Sequence, residues 1–370
     1  MKSCSMKVLF YLVPFMLLTS CTSDSENEMS CTGDYDQKVL LAHMADQLII
    51  PSVQSFEAQA QEMNQAISSF VNTTDETTLE QAQNSFKEAY IQYQRLAQFN
   101  FGPADQLNFR ERVNNFPVNE NQLVTSIENE DYDFSLSMQY DQGFPALDYL
   151  LFGQGSQGET VDRYVNEEKL QTYTEAVSED IANTASLLST QWQEYREEFI
   201  DRTGTAAGAS LAQMVNSWNE EYEITKRDRL GIPSGQVTLG FANPTKVEAY
   251  YSGLSIALLH SSLQAAQKVF VGESLEQGTD GPGLADLLDH VGAEKEGRAL
   301  SEIILSQYQI IDEKLLALPN SRLSDLVDSE KQAVEELYIE ASRQVLYKKT
   351  DLPSMLCIAI TYVDNPSDSD

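Results

Sequence analysis

The chain has 370 residues, 42% of them hydrophobic, with 57 acidic against 24 basic side chains and a net charge of −33. The apolar fraction is enough for a sizeable core, while a field of that sign repels phosphate backbones and anionic headgroups, so nucleic-acid binding is excluded. An acidic surface favours cations or serves solubility.

Lys2 and Lys7 flank the start of an apolar run from Val8 to Leu18 that is too short to span a bilayer, so residues 1–20 read as a signal peptide. The run ends in Leu18-Thr19-Ser20-Cys21, the form of a bacterial lipobox, which makes Cys21 the lipidated first residue of the mature chain and lipid its only membrane anchor. Residues 21–35 follow as an acidic, polar tether, and residues 364–370 close the chain as a tail. Cys4 leaves with the signal, so Cys31 and Cys357 remain. One lies in a polar linker and the other in an apolar tail, surroundings that favour two free thiols over a disulfide.

From residue 36 onward apolar side chains recur at helical spacing. Val39, Leu40, His43, Leu48, Ile49, Val53, Phe56 and Met63 mark a helix over 36–71, with Pro51 as a kink. Thr77 and Glu80 read as a capping box opening a helix over 77–100, whose stripe runs Leu79, Ala82, Phe86, Tyr90, Tyr93, Ala97. A longer stripe from Leu170 to Phe199 marks a third helix, and further helices are read over 209–222, 245–270, 294–318 and 329–347. Only 356–363 shows alternation, as an extended piece or a packed tail. The fold class is all-α, long enough for two helical bundles, 36–203 and 204–363, with the boundary in the small, flexible Gly204-Thr205-Ala206-Ala207-Gly208. No internal repeat is evident at this level.

The segment from Gly143 to Gly153 surrounds one carboxylate, Asp148, with apolar residues, and Pro145 suits the first turn of a helix. A carboxylate in such company is either paired or lines a cavity. This segment resembles the Gly-x-His-x-x-Glu signature of the imelysin family, the peptidase M75 group. Gly143 matches, Pro145 stands in the histidine position, and Asp148 replaces the glutamate. The resemblance extends over Phe101-Gly102-Pro103, Asn115-Phe116-Pro117-Val118, the stretch from Lys226 to Pro233, that from Lys246 to Gly253, that from Gln267 to Gly272, and Ile360-Thr361-Tyr362. It implies two related bundles packed side by side with a site in the cleft between them, metallopeptidase chemistry, and a connection to iron acquisition. A histidine and a glutamate three apart share a helix face and can hold a metal together, but proline offers no ligand atom. The acidic residues after Cys21 resemble the surface-export signal of Bacteroidetes lipoproteins; a solvated periplasmic linker is the other reading.

Across the cleft from Asp148 and Tyr149, the reading places Glu248, Tyr250 and Tyr251, so that two carboxylates converge on a hard cation or a cationic or polyhydroxyl molecule. Glu248 also reads simply as an acid at the start of a helix. Lys226, Arg227 and Arg229 form the densest basic cluster, a salt-bridged helix end or else an anion clamp at the cleft. His43, on an apolar stripe, reads as a core histidine; neither Glu-x-x-His nor His-Glu-x-x-His occurs. Gly153-Gln154-Gly155-Ser156-Gln157-Gly158 follows a helix and not a strand, so it is a loop, and Asp280, Asp286 and Asp289 are at most an adventitious Ca²⁺ site. The expected protein is an envelope lipoprotein with a ligand-binding cleft, in iron or haem acquisition, with outer-membrane transport components as partners. A metallopeptidase and a purely structural partner of an outer-membrane complex are the alternatives. No cofactor is assigned beyond iron or another cation as ligand.

Overall fold

The helical periodicity is realised along the whole of the computed structural model, which describes residues 31–362. The signal peptide, Cys21, most of the tether and the tail lie outside the described residues. In the first half, α1 (Gln37–His43) and α2 (Ile50–Asn72) run nearly end to end, and α3 (Glu76–Leu96) folds back on α2. Short helices α4 (Pro103–Gln106), α5 (Phe109–Val113) and α6 (Glu120–Asn129) lead to α7 (Gly143–Phe152), which packs against α3 and the long α9 (Glu168–Asp201); α8 (Gln157–Asn166) precedes α9. The second half contains α10 (Ser210–Ile224), α11 (Ser255–Val271) and α12 (Leu284–His290). A small antiparallel hairpin, β1 (Glu294–Lys295) with β2 (Arg298–Ala299), precedes α13 (Leu300–Leu316), α14 (Leu323–Ser329), α15 (Lys331–Val345) and α16 (Leu352–Met355). The fold is all-α. Helix α11 packs on α3 as well as on α13, so the halves meet through a shared core.

That core is aromatic where it positions the site. Phe144, on the first turn of α7, stacks on Tyr90 at 4.4 Å and meets the rings of Phe56, Phe86 and Tyr93. Fully buried rings of this size anchor a helix firmly, because each removes a large apolar area from water and cannot shift without opening a void. Among the described residues no helix is long and apolar enough to cross a membrane.

Among the described residues three π-type turns interrupt the helices, at Met44–Ile49, Thr225–Gly231 and Leu346–Asp351. Each stands two residues before a proline: Pro51, Pro233 and Pro353. Proline cannot close the bond to the carbonyl four residues back, and its ring crowds that carbonyl; widening the turn by one residue lets the helix pass. The serine after each proline repairs part of the loss, since Ser52, Ser234 and Ser354 Oγ donate to the carbonyls of Leu48, Leu230 and Thr350, each at 2.6 Å. The first two turns share the pattern Asp-x-Leu-x-Ile-Pro-Ser, at 46–52 and 228–234. The kink expected at Pro51 is thus a widened turn, and it marks an internal repeat.

Several local expectations need correction. The cap of α3 is Asp75, whose side chain accepts from Thr78 N at 2.9 Å, so the helix starts before the Thr77–Glu80 pair. The helix read over 245–270 begins only at Ser255; residues 247–254 are irregular, with Ala249 at φ +53° and Gly253 at φ +73°. The helix read from 294 begins at Leu300, after the hairpin. The two cysteines expected to be free, Cys31 and Cys357, form a disulfide with their Cα atoms 5.8 Å apart. On the Cys357 side, Asn216 donates to Ala359 O at 3.0 Å and accepts from Thr361 N at 2.7 Å, pinning the tail on α10. Neighbourhood in sequence carries no information about that convergence.

Candidate functional site

Helix α7 begins at Gly143, whose φ of +70° and approach to Val113 leave no room for a side chain: an added Cβ would lie 2.3 Å from the Val113 carbonyl oxygen. Gly143 is therefore a steric requirement of the motif. Five residues on, Asp148 is 2% exposed, and its two oxygens accept from the backbone N–H groups of Tyr251 at 2.8 Å and Ser252 at 3.0 Å. Those amides are free because 247–254 is not helical. Arg322 holds the other side of the same peptides, donating to the carbonyls of Tyr250 and Tyr251. The loop is gripped from the first half by a carboxylate and from the second by a guanidinium. Burial pushes the Asp148 carboxyl up to about 6, against the pull of its hydrogen bonds and of Arg322.

Between α7 and this loop lies a cavity of about 130 Å³, walled by Pro145 and Asp148 on one side and by Lys246, Tyr250 and Tyr251 on the other. Glu120, at the start of α6, also lines it and accepts a short hydrogen bond from the Tyr251 hydroxyl. The Tyr251 ring meets those of Tyr149 and Tyr250 edge-on, each at 5.1 Å. Burial, then the carboxylate of Glu120, raise the Tyr251 hydroxyl well above its ordinary value, so it stays a donor. A more open hollow of about 510 Å³ adjoins the cavity, sharing Glu120 and Lys246.

Glu248 does not join Asp148 in this cavity. Its Oε1 accepts from Asn114 Nδ2 at 2.7 Å, Gln94 Nε2 at 2.9 Å and the Tyr90 hydroxyl at 3.3 Å, while Oε2 accepts from Arg229 Nε at 2.7 Å. Arg229 donates in turn to Glu221 and to Thr225, both at 2.6 Å, and Arg110 lies 3.4 Å from Glu221. Burial pulls the Arg229 guanidinium down, but Glu221 and Glu248 outweigh it and hold it above its ordinary value. Glu248 and Arg229 are thus the centre of a buried ionic core joining α3 and the segment after α5 to the second half. Sequence spacing could not reveal this, because it places Glu248 on a helix that does not form there.

Lys226 pairs with Glu223 at 2.7 Å and Arg227 with Asp228 at 2.5 Å, so the basic cluster is salt-bridged and forms no anion clamp at the cavity. His43 meets the Gly272 carbonyl at 2.7 Å, His260 meets Asp312 and His290 meets Asp34. Asp286 caps α12 through Gly283 N at 2.8 Å, and Asp289 accepts from the Ser301 hydroxyl. Among the described residues no three His, Cys, Asp or Glu side chains gather to hold a metal ion. Where the family signature has a histidine, Pro145 has no donor atom, and both oxygens of Asp148 are already bound to amides. These residues do not supply a direct ligand set for a coordinated resident metal. Glu120, Lys246 and Arg322 were missed by sequence reasoning: Lys246 lay within a quoted motif, whereas Glu120 and Arg322 carried no signal.

A helical protein whose halves close on a polar cavity at the end of a Gly-x-Pro-x-x-Asp helix is the class that these features define. Residues 49–347 match the Imelysin family model, Peptidase_M75, and the chain belongs to that family. It is 23% identical over 291 residues to iron-regulated protein A of Synechococcus elongatus, covering 74% of each chain. Its fold is similar to the crystal structure of a candidate iron-regulated protein A precursor from Parabacteroides distasonis, with a TM-score of 0.73, 13% identity, and coverage of 87% of this chain and 95% of that one. It is also similar to an imelysin-like protein from Psychrobacter arcticum, with a TM-score of 0.66, 16% identity, and coverage of 88% and 97%.

Proposed function

We propose that this chain is a binding member of the imelysin family, an envelope lipoprotein whose cavity at Asp148 takes a small cation. The observation that carries the reading is the pair of carboxylates, Glu120 and Asp148, lining one cavity against a single amine, Lys246, in a strongly acidic chain. The volume of about 130 Å³ is well below the roughly 300–1,000 Å³ of drug-sized ligand pockets. It suits an ion with its waters or a few-atom ammonium; a macrocycle such as haem would have to lie in the adjoining hollow. A bound cation would favour the ionised form of Asp148, so uptake should weaken as the pH falls through about 6. The names of the relatives speak of regulation by iron, which supports iron supply as the physiological setting. Lipid attachment at Cys21 and an outer-membrane location rest on the sequence alone.

The test is native mass spectrometry of the full chain purified from its own host, followed by calorimetric titration of the dialysed protein with ferrous iron, calcium and putrescine. Expected is one equivalent of one of these, bound at least about tenfold more weakly by Asp148→Ala. Binding unchanged in that variant overturns the reading. So does chelator-sensitive cleavage of a peptide library that the same substitution abolishes, which would establish the peptidase instead.

A further inference from the structure

Two hollows meet at the candidate site, and their polar groups are sorted by sign. The inner cavity of about 130 Å³ is lined by the carboxylates of Asp148 and Glu120. The outer hollow of about 510 Å³ adds Asn119, Asn121 and Tyr140, whose amides and phenol are uncharged groups able to donate hydrogen bonds. Glu120 and Lys246 line both and mark the passage between them. Bonding capacity remains on each side of that passage. The Tyr251 hydroxyl takes one oxygen of Glu120 and leaves the other. Asn119 Oδ1 caps α6 by accepting from Gln122 N at 3.2 Å, so its amide protons are still available.

Lys246 is the cation of this site. Its short turn, Pro244–Lys246, packs on α14 and is tied by the Lys246 amide to Asn243 O at 2.9 Å. Lys226, Arg227 and Arg229 each hold a carboxylate, which leaves Asp228 and Glu248, the acids nearest Lys246 in sequence, already engaged. Lys246 lines the same cavity as Asp148 and Glu120 yet pairs with neither, nor with any other carboxylate among the described residues. Opposite charges held apart across a solvent-accessible gap gain little from each other. A ligand carrying both signs closes the gap at both ends, with a charge-assisted hydrogen bond at each. A bare metal ion or a diamine meets Lys246 as a like charge instead. One amine beside one carboxylate balances a monoanion and not the double charge of a phosphate. Building on the reading of this cavity as a cation site, we infer that its ligand is zwitterionic, a small amino acid. Its ammonium sits against Asp148 and Glu120, and its carboxylate is received by Lys246 and Asn119 in the outer hollow.

The experiment titrates the dialysed full chain calorimetrically with the linear ω-amino acids from glycine through γ-aminobutyrate to ε-aminocaproate, and with the n-alkylamines of the same carbon number. At least one amino acid should bind about tenfold or more tightly than its alkylamine. Lys246→Ala should bring that amino acid down to the level of the alkylamine, and should bind the alkylamine no more weakly, since a like charge has gone. Lys246→Arg should keep the preference, and Asp148→Ala should weaken both ligands. Alkylamine or putrescine bound as tightly as every amino acid, and weakened by Asp148→Ala, overturns the inference and leaves the cation site standing. A preference that survives Lys246→Ala overturns it too, as does binding of a metal ion alone. If no amine or metal binds in a manner that depends on Asp148, the inference and the reading beneath it fall together.

Discussion

Asp148 sits under two opposed demands, and their balance is measurable. Its apolar surroundings penalise charge, whereas the amides of Tyr251 and Ser252 reward it. Burial wins, placing the folded carboxyl at about 6 against 3.8 for the ordinary side chain. Between those values the folded state holds a proton that the unfolded chain has released, so stability falls as pH rises through that window and is flat above it. The difference corresponds to about 3 kcal/mol by linkage. Asp148→Asn cannot titrate, so wild type should gain on the variant by about that amount in urea unfolding as the pH falls from 7 to 4. If wild type instead loses ground on acidification, the two amide bonds outweigh burial. The burial of Asp148 was legible in the sequence, because an acid inside an apolar run is carried into the core with its neighbours. Its partners were not, because backbone amides carry no residue signature and become free only where a helix fails to form.

At the level of elements, the ionic core of Glu248, Arg229, Glu221 and Arg110 fastens α3 and the residues after α5 to α10 and its widened turn. The turn matters because Arg229 lies within Thr225–Gly231, and the extra residue per turn forced by Pro233 sets where its guanidinium points. Glu248→Ala would leave Arg229 half-paired and two buried donors, from Gln94 and Asn114, without their shared acceptor, while the Tyr90 hydroxyl keeps Asn114 Oδ1 at 2.6 Å. We expect a loss of about 3–5 kcal/mol in denaturant unfolding, typical of removing one partner of a buried ion pair. A loss below about 1 kcal/mol would mean that water enters the vacated site and replaces the carboxylate. The stripes that gave α2, α3 and α9 were legible because long amphipathic runs leave one reading. The start of α11 was not, since 247–254 carries apolar and tyrosine residues at spacings a helix would also use, and only the left-handed backbone at Ala249 and Gly253 stops it.

Over the whole molecule, the helical class and the long helices followed from periodicity, but the way the two halves are held together did not. The fastenings are long-range: Asp148 to the 247–254 loop, Glu248 to α3, and the bond between Cys31 and Cys357, which encloses the described fold from its first residue to its tail. That last fastening spans 326 residues of sequence. Cross-linking the ends of so long a chain removes much of the freedom of the unfolded state, and the chain-entropy argument places the stabilisation at about 6 kcal/mol. Cys31→Ser and Cys357→Ser should each lower the unfolding free energy by about that amount, and the double variant by no more than either alone, because the two residues act as a unit. Reductant should bring wild type down to the same value and leave the variants where they are. A difference within about 1 kcal/mol would assign the closure to the packed tail, where Asn216 already holds Ala359 and Thr361, and would make the disulfide a consequence of that packing.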